Sequence, residues 1–204
     1  MKKKNILIIA LLVVGICGLA LVEGYIRPEM RRREQKYLAE QNDPLTHDFS
    51  RLLEFKSPYM GDASNLSNLN YHLPLGGLKM KFQLYPEKLT AEITYEDSIA
   101  GIETELFERT LVYNATANFV LIDNLEALIL NFEQYSYAIS RSTVESWYGV
   151  NLKTLQDEAR WAEEVQRPLY DRAYVKSFIE KNFTVQPRAA LNMNSMRPNQ
   201  KKEL

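Results

Sequence analysis

The sequence predicts an α+β fold in which an antiparallel sheet of about four strands, in two hairpins, is packed on one face by helices. Residues 78–84 and 89–95 alternate apolar and polar side chains, as strands with a single buried face do. Segments with helical spacing flank these strands, and an apolar segment opens the chain. Without this apolar segment and two polar tails, about 140 residues remain, enough for one domain with its own core.

The apolar segment at the N-terminus runs from Ile6 to Val22 without a charged residue. As a helix it covers about 25 Å, near the lower limit for a membrane span. Leu, Ile and Val make up most of it, which favours insertion into a bilayer. We therefore predict a transmembrane signal-anchor helix over residues 5–26. Two alternatives stay open, namely a signal peptide cleaved near Ala20 and a lipoprotein signal at Cys17.

Charges on both sides of this segment bear on its orientation. Residues 1–4 hold three lysines, and a similar basic cluster follows the span. Moving a short tail with three ammonium groups outward is unfavourable, whereas long domains translocate regardless of charge. We therefore predict a cytoplasmic tail at 1–4, a charged helical linker at 27–43 and an extracytoplasmic body at 44–183. Asn42, Asp43 and Pro44 form the helix-breaking boundary before the body.

Two short helices are predicted to open the body. Phe49, Leu52 and Leu53 fall on one face of the first, which Pro58 ends. The second carries Leu66, Leu69 and Leu73 on one face, and Ser64 is a candidate N-cap. Pro74 and the Gly76-Gly77 pair end it.

The strands come next, joined by the short connector 85–88 into a first hairpin. Residues 103–122 have helical spacing, and two further strands are predicted around 128–132 and 135–139. Ser142 and Glu145 match a capping box, so a short helix should begin there. The order strand–strand–helix thus occurs twice, which suggests a ββα-ββα repeat.

The C-terminal part is predicted to be helical and then disordered. Helical spacing continues from Asn151 to Phe178, with a break or kink at Pro168. Residues 184–204 are polar and without a period, so we predict a disordered tail.

Composition excludes several classes of function. Residues 43–183 hold 21 acidic and 13 basic side chains, so the body should repel nucleic acid. Its lack of cysteine rules out an internal disulfide or a thiolate metal site, and two histidines do not make a usual zinc site. Phosphate-loop, zinc-protease and nucleophile-elbow motifs are absent from the sequence. We therefore predict no catalytic residues, no metal and no cofactor.

Aromatic residues supply the candidate ligand surface. The chain contains twelve tyrosines and two tryptophans, and such residues bind sugars or peptides as readily as they pack cores. A turn around Gly61 is a second candidate, although its residues also suit a helix entrance. The predicted surface comprises Tyr59, Asp62, Tyr135, Tyr137, Trp147 and Tyr148.

Several short runs carry a resemblance to known sequences: Ser57-Pro58-Tyr59-Met60-Gly61-Asp62, Asn65-Leu66, Leu73-Pro74-Leu75, Leu121-Ile122-Asp123-Asn124, Ser140-Arg141 and Trp147-Tyr148-Gly149. Over about residues 48–152, the chain resembles a family known as domain of unknown function 4825. The chain departs from the family at Tyr85-Pro86-Glu87, where a Pro-Tyr-Gly-like turn is usual. The resemblance implies an extracytoplasmic module of Gram-positive bacteria behind a membrane anchor, and it supplies no chemistry.

Together these observations favour a non-catalytic binding or sensing module of the bacterial cell envelope. Its expected partners are the membrane and a membrane protein or cell-wall polymer, and the body is expected to be monomeric. Two alternatives stay open. One is an envelope hydrolase with a carboxylate site that matches no motif, and the other is a structural domain that holds membrane partners together.

Overall fold

The computed structural model describes the backbone of residues 3–188, and the side chains of Ile8 and of residues 11–188. The chain divides into two compact units, Met1–Glu40 and Gln41–Leu204. Most of the predicted disordered tail, residues 189–204, lies outside the described residues, as do the first two residues of the predicted cytoplasmic tail.

The N-terminal unit is helical. Helix α1 spans Lys3–Leu21, a π-helical turn spans Val22–Ile26, and helix α2 spans Arg27–Asn42. Within the described residues, one helix, Leu11–Asn42, is long and apolar enough to cross a membrane. Its place near the N-terminus is also typical of a signal sequence. The apolar N-terminal helix predicted from the sequence is therefore present, with the composition of an anchor or a signal.

The body combines helices with a sheet, so the predicted α+β class is confirmed. Its strands are β1 Met80–Tyr85, β2 Thr90–Tyr95, β3 Ala127–Asn131, β4 Tyr135–Ser140 and β5 Thr184–Pro187. Its α-helices are α3 Ala63–His72, α4 Thr104–Leu121, α5 Arg141–Tyr148, α6 Glu158–Trp161 and α7 Arg172–Asn182. Short 3₁₀ and π segments lie at Phe49–Phe55, Pro86–Lys88, Leu152–Gln156, Ala162–Gln166 and Arg167–Tyr170.

The five strands lie in the sheet in the order in which they occur in the chain. The pairs β1–β2, β3–β4 and β4–β5 are antiparallel, whereas β2 and β3 are parallel. Two hairpins are present as predicted, but the expectation of an all-antiparallel sheet of four strands is wrong. Helix α4 carries the chain from the end of one hairpin back to the start of the next, which makes their junction parallel.

Strand β5 corrects the predicted boundary of the body. Residues 184–187 were predicted to belong to a disordered tail, yet they pair with β4, with Val185 opposite Tyr137. All four side chains of β5 are exposed, so backbone hydrogen bonds hold the strand in place. Side-chain hydropathy does not reveal such pairing. Arg188 extends the contact, because its N–H donates to the Gln134 carbonyl at 2.9 Å.

The core lies between the sheet and helix α4, in which thirteen of eighteen residues are buried. Ala91 and Ile93 of β2 and Leu128 and Leu130 of β3 point to this buried side. Other helices pack around α4, and Trp161 stacks on Phe49 with ring centroids 3.8 Å apart. The structure thus leaves the opposite face of the sheet uncovered by helices among the described residues.

Candidate functional site

A pocket of about 260 Å³ lies between the β3–β4 hairpin and the loop that precedes α4. Two of the six candidate ligand residues, Tyr135 and Tyr137, line it. The other lining residues are Ile99, Ala100, Ile102, Thr104, Phe107, Phe132, Glu133 and Gln134. Four aromatic rings and two isoleucines therefore form most of its wall.

Three of the four aromatic rings of this pocket pack against one another. Phe107 meets Phe132 and Tyr137 edge to face, with centroids 4.9 and 5.8 Å apart, and Phe132 also stacks on Tyr95 at 4.6 Å. Tyr135, at the start of β4, is 44% exposed and forms the accessible part of the wall. Rings held in this way form a preformed apolar surface, so that a ligand would not have to order them.

Acidic groups surround the same pocket. Glu133 lines it at the tip of the hairpin and accepts a hydrogen bond from the Ser98 hydroxyl at 3.2 Å. Burial raises the pKa of Tyr137, and the neighbouring Tyr135 and the carboxylate of Glu108 raise it further. The phenol of Tyr137 is therefore neutral at physiological pH.

Trp147 and Tyr148 lie elsewhere, where α5 packs on α7. The indole N–H of Trp147 donates to the Tyr174 hydroxyl at 2.8 Å, and its ring is 5.1 Å from that of Phe178. Tyr148 reaches the hydroxyl of Thr116 at 3.3 Å, and burial raises its pKa well above the usual value. Both side chains therefore connect helices, and they are not part of the pocket.

Tyr59 and Asp62 form a third location, at the entrance of α3. The Asp62 carboxylate accepts from the backbone N–H of Asn65 at 3.0 Å and so caps the helix. Tyr59 is 67% exposed. The predicted surface thus occupies three separate places, and only its two β4 tyrosines share a concave site among the described residues.

A second concavity, of about 560 Å³, lies on the open face of the sheet and was missed by sequence reasoning. The carboxylate of Glu92 is held there by the Tyr85 hydroxyl at 2.8 Å and by the Asn131 amide at 2.6 Å. The small residues Ala127 and Ala138 leave the space open. One signal in the sequence could have indicated this groove: along β3 and β4, the small residues Ala127 and Ala138 alternate with buried ones.

Metal-ligating side chains are scattered. Within residues 3–188, no three His, Cys, Asp or Glu side chains are grouped so that they could hold a metal ion. His47 is buried and bonded to Tyr113, while His72 is exposed and bonded to a backbone carbonyl.

Residues that carry the family resemblance meet at the C-terminal end of α4. The backbone of Ser57 pairs with the Leu121 carbonyl and the Asp123 N–H, each at 2.9 Å. The Asn124 side chain accepts from the N–H of Met60 at 2.6 Å. These contacts hold together residues that are far apart in the sequence. A structural role in the fold is therefore the first explanation for the residues that carry the family resemblance.

Arg141, at the start of α5, also contacts the C-terminal end of α4. Its guanidinium donates to the backbone carbonyls of Phe119, Ile122 and Leu125 at 2.6–2.8 Å. The first of these carbonyls belongs to the last turn of α4, where the helix leaves carbonyls unsatisfied. The Arg141 side chain, at the start of α5, thus caps the C-terminal end of α4.

Comparison with known proteins gives a family match. The sequence model of a family described as domain of unknown function (DUF4825) matches residues 52–143. No curated protein and no solved structure matches the chain.

Proposed function

We propose that the chain is a membrane-tethered, non-catalytic binding module of the cell envelope, whose body includes the segment that matches the DUF4825 model, residues 52–143. Its body takes a small ligand in the aromatic pocket. The observation that carries this proposal is the pocket itself, a preformed concave site with apolar walls and a few polar groups at its rim. Sites of that composition are the usual places for small ligands.

The lining of the pocket favours binding over hydrolysis. Hydrolysis by paired carboxylates needs two acids whose environments separate their pKa values. Among the described residues that line the pocket, Glu133 is the one carboxylate, and it is exposed. The groove on the open face likewise contains one carboxylate, Glu92, which is already hydrogen-bonded on both oxygens.

The location in this proposal rests on the N-terminal helix. Its large apolar side chains between Leu11 and Leu21 are exposed, which suits a lipid environment. The three N-terminal lysines favour a cytoplasmic start, so the body would lie outside the membrane. Protease added to intact cells should then cut the body. Complete protection of the body in intact cells, with cleavage after lysis, would place it inside.

Ligand binding is tested with small aromatic and aliphatic fragments, detected by saturation-transfer NMR on the full chain in maltoside micelles. Tyr135→Ala should weaken or abolish binding, because it removes the exposed part of the wall. Tyr59→Ala removes an exposed tyrosine far from the pocket lining and is the matched control. Equal binding by both variants, or no binding by the natural chain, would refute this function.

A further inference from the structure

We propose that the aromatic pocket binds a small, soluble organic cation of the quaternary ammonium class, a proposal that rests on the binding function above. The ligand would place its methylated ammonium group among the rings of Phe107, Phe132, Tyr135 and Tyr137. The electron-rich faces of such rings attract a cation that carries no hydrogen-bond donor, an interaction that strengthens as water is excluded.

Charge complementarity selects a cation over a neutral apolar group. Glu133 is the one charged residue among the described residues that line the pocket. Two cations lie near it: Lys81 and Arg188 share a neighbouring depression with Glu133, but Lys81 pairs with Glu96 and the Arg188 guanidinium donates to the Phe132 carbonyl at 3.3 Å. Glu108 adds a second negative charge close to Tyr137. A buried neutral ligand would gain nothing from these two carboxylates.

Hydrogen-bonding capacity selects a methylated ammonium over a primary one. A primary ammonium carries three N–H donors, and each needs an acceptor when water is removed. The wall consists mainly of rings and of Ile99 and Ile102; besides the tyrosine hydroxyls, its acceptors are Thr104 and the exposed side chains of Glu133 and Gln134. A quaternary group requires no hydrogen-bond acceptor, so its transfer from water into such a pocket costs less free energy.

The same lining argues against a phospholipid headgroup. A lipid choline carries a phosphate beside its ammonium, and that phosphate needs a positive partner. No Lys or Arg lines the pocket among residues 3–188, and Glu133 would repel the phosphate. The volume of about 260 Å³ is also below that of pockets for drug-sized ligands. The occupant is therefore a free cation without an adjacent anionic group.

The test compares four probes on the full chain in maltoside micelles by calorimetry and saturation-transfer NMR. These are choline, its neutral isostere 3,3-dimethylbutan-1-ol, ethanolamine and phosphocholine. Choline should bind about tenfold more tightly than each of the other three. Equal affinity for the neutral isostere would mean a plain apolar pocket and would overturn the cation assignment while leaving the binding function intact. Tighter binding of phosphocholine would instead favour a lipid headgroup and overturn the proposal.

Variants separate the contribution of the rings from that of the charge. Tyr135→Leu keeps an apolar side chain but removes a ring, so choline affinity should fall about tenfold while affinity for the isostere holds. Tyr135→Phe should retain choline binding, which controls for general damage to the pocket. Glu133→Gln should weaken choline binding several-fold.

If choline fails to bind while other fragments bind in the same pocket, the inference is wrong and the binding function stands. If no probe and no fragment binds, both the cation inference and the proposed binding function are wrong.

Discussion

Asn70 and Asn118 join helices α3 and α4 through two reciprocal amide hydrogen bonds, each 3.0 Å long. Both side chains are buried, and each also donates to a backbone carbonyl of its own helix, Leu66 or Asn114. The pair is a satisfied polar contact in an otherwise apolar interface. It therefore sets how α3 lies on α4, because any shift would leave buried amide groups without partners.

Asn118→Ala should lower the free energy of unfolding by about 1–3 kcal/mol, because it leaves the Asn70 amide unpaired in the core. Urea denaturation of the body measures the loss. Asn68→Ala, at an exposed position of the same region, is the control. The double variant Asn70→Ala/Asn118→Ala should cost less than the sum of the single changes. Strict additivity would mean that the two side chains do not interact.

His47 should make the stability of the body depend on pH. Its Nε2 donates to the His72 carbonyl at 2.8 Å, so Nδ1 accepts from the Tyr113 hydroxyl at 2.9 Å and the ring is neutral. Burial lowers the pKa of His47 below its usual 6.5 and outweighs the hydrogen bond to His72. The unfolded chain therefore takes up a proton as pH falls through about 6.5, while the folded chain does not.

Stability should accordingly be full above pH 6.5 and decline as the pH is lowered from there towards the depressed pKa of the folded state. Urea midpoints between pH 7.5 and 5.5 measure the decline. His47→Gln should flatten it, whereas His72→Gln, at an exposed site, should preserve it. An unchanged slope in His47→Gln would assign the pH dependence to other groups.

Arg141→Lys should destabilise the body by about 1.5–3 kcal/mol, because an ammonium cannot reproduce the fork that reaches three carbonyls. Thermal and urea denaturation measure the effect. Arg172→Lys on the exposed start of α7 is a matched control and should change little. Equal stability of both variants would show that water replaces the guanidinium at the end of α4.

Gly76→Ala should destabilise the body by about 1–3 kcal/mol, because the added Cβ would lie 2.2 Å from the backbone oxygen of Tyr71. A backbone atom in that position has little room to give way. The neighbouring Gly77→Ala meets no atom within 4 Å and should be close to neutral. The pair therefore separates steric conflict from the general effect of replacing a glycine, and similar melting temperatures would contradict the expected clash.

Residues 184–188 should be needed for a stable body. A chain of residues 41–188 should be soluble and monomeric, as judged by light scattering. A chain that ends at Phe183 loses β5 and leaves the edge of β4 unpaired. Its melting temperature should fall, and it should associate at high concentration. Equal behaviour of the two chains would show that β5 contributes no stability.

The sequence allowed the two hairpins and the buried helix to be predicted, because their side chains alternate or repeat with the required period. Met80 and Phe82 show this for β1, and Leu111 and Ala115 for α4. Strand β5 was not predicted, because its stabilising contacts are made by backbone groups, which are the same in every sequence. The parallel pairing of β2 with β3 was also not predicted. Alternation of apolar and polar side chains within a strand does not indicate the direction of the neighbouring strand.

The candidate site was predictable in part for a similar reason. Tyr135 and Tyr137 lie two positions apart on one strand, so they had to share a face of the sheet. Their pocket partners Ile99 and Phe107 come from a loop and a helix, whose approach depends on tertiary packing. Trp147 is close to them in sequence, but α5 turns it towards Tyr174 on α7.

The parallel junction of β2 and β3 has a consequence for how the body folds. Each hairpin can close through local contacts, but Thr90 can meet Ala127 only after the chain between them has been brought back across the sheet. Closing that long intervening segment costs entropy, which formation of α4 reduces by compacting it. Substitutions that weaken α4 should therefore slow the joining of the two hairpins more than they slow the closing of either one.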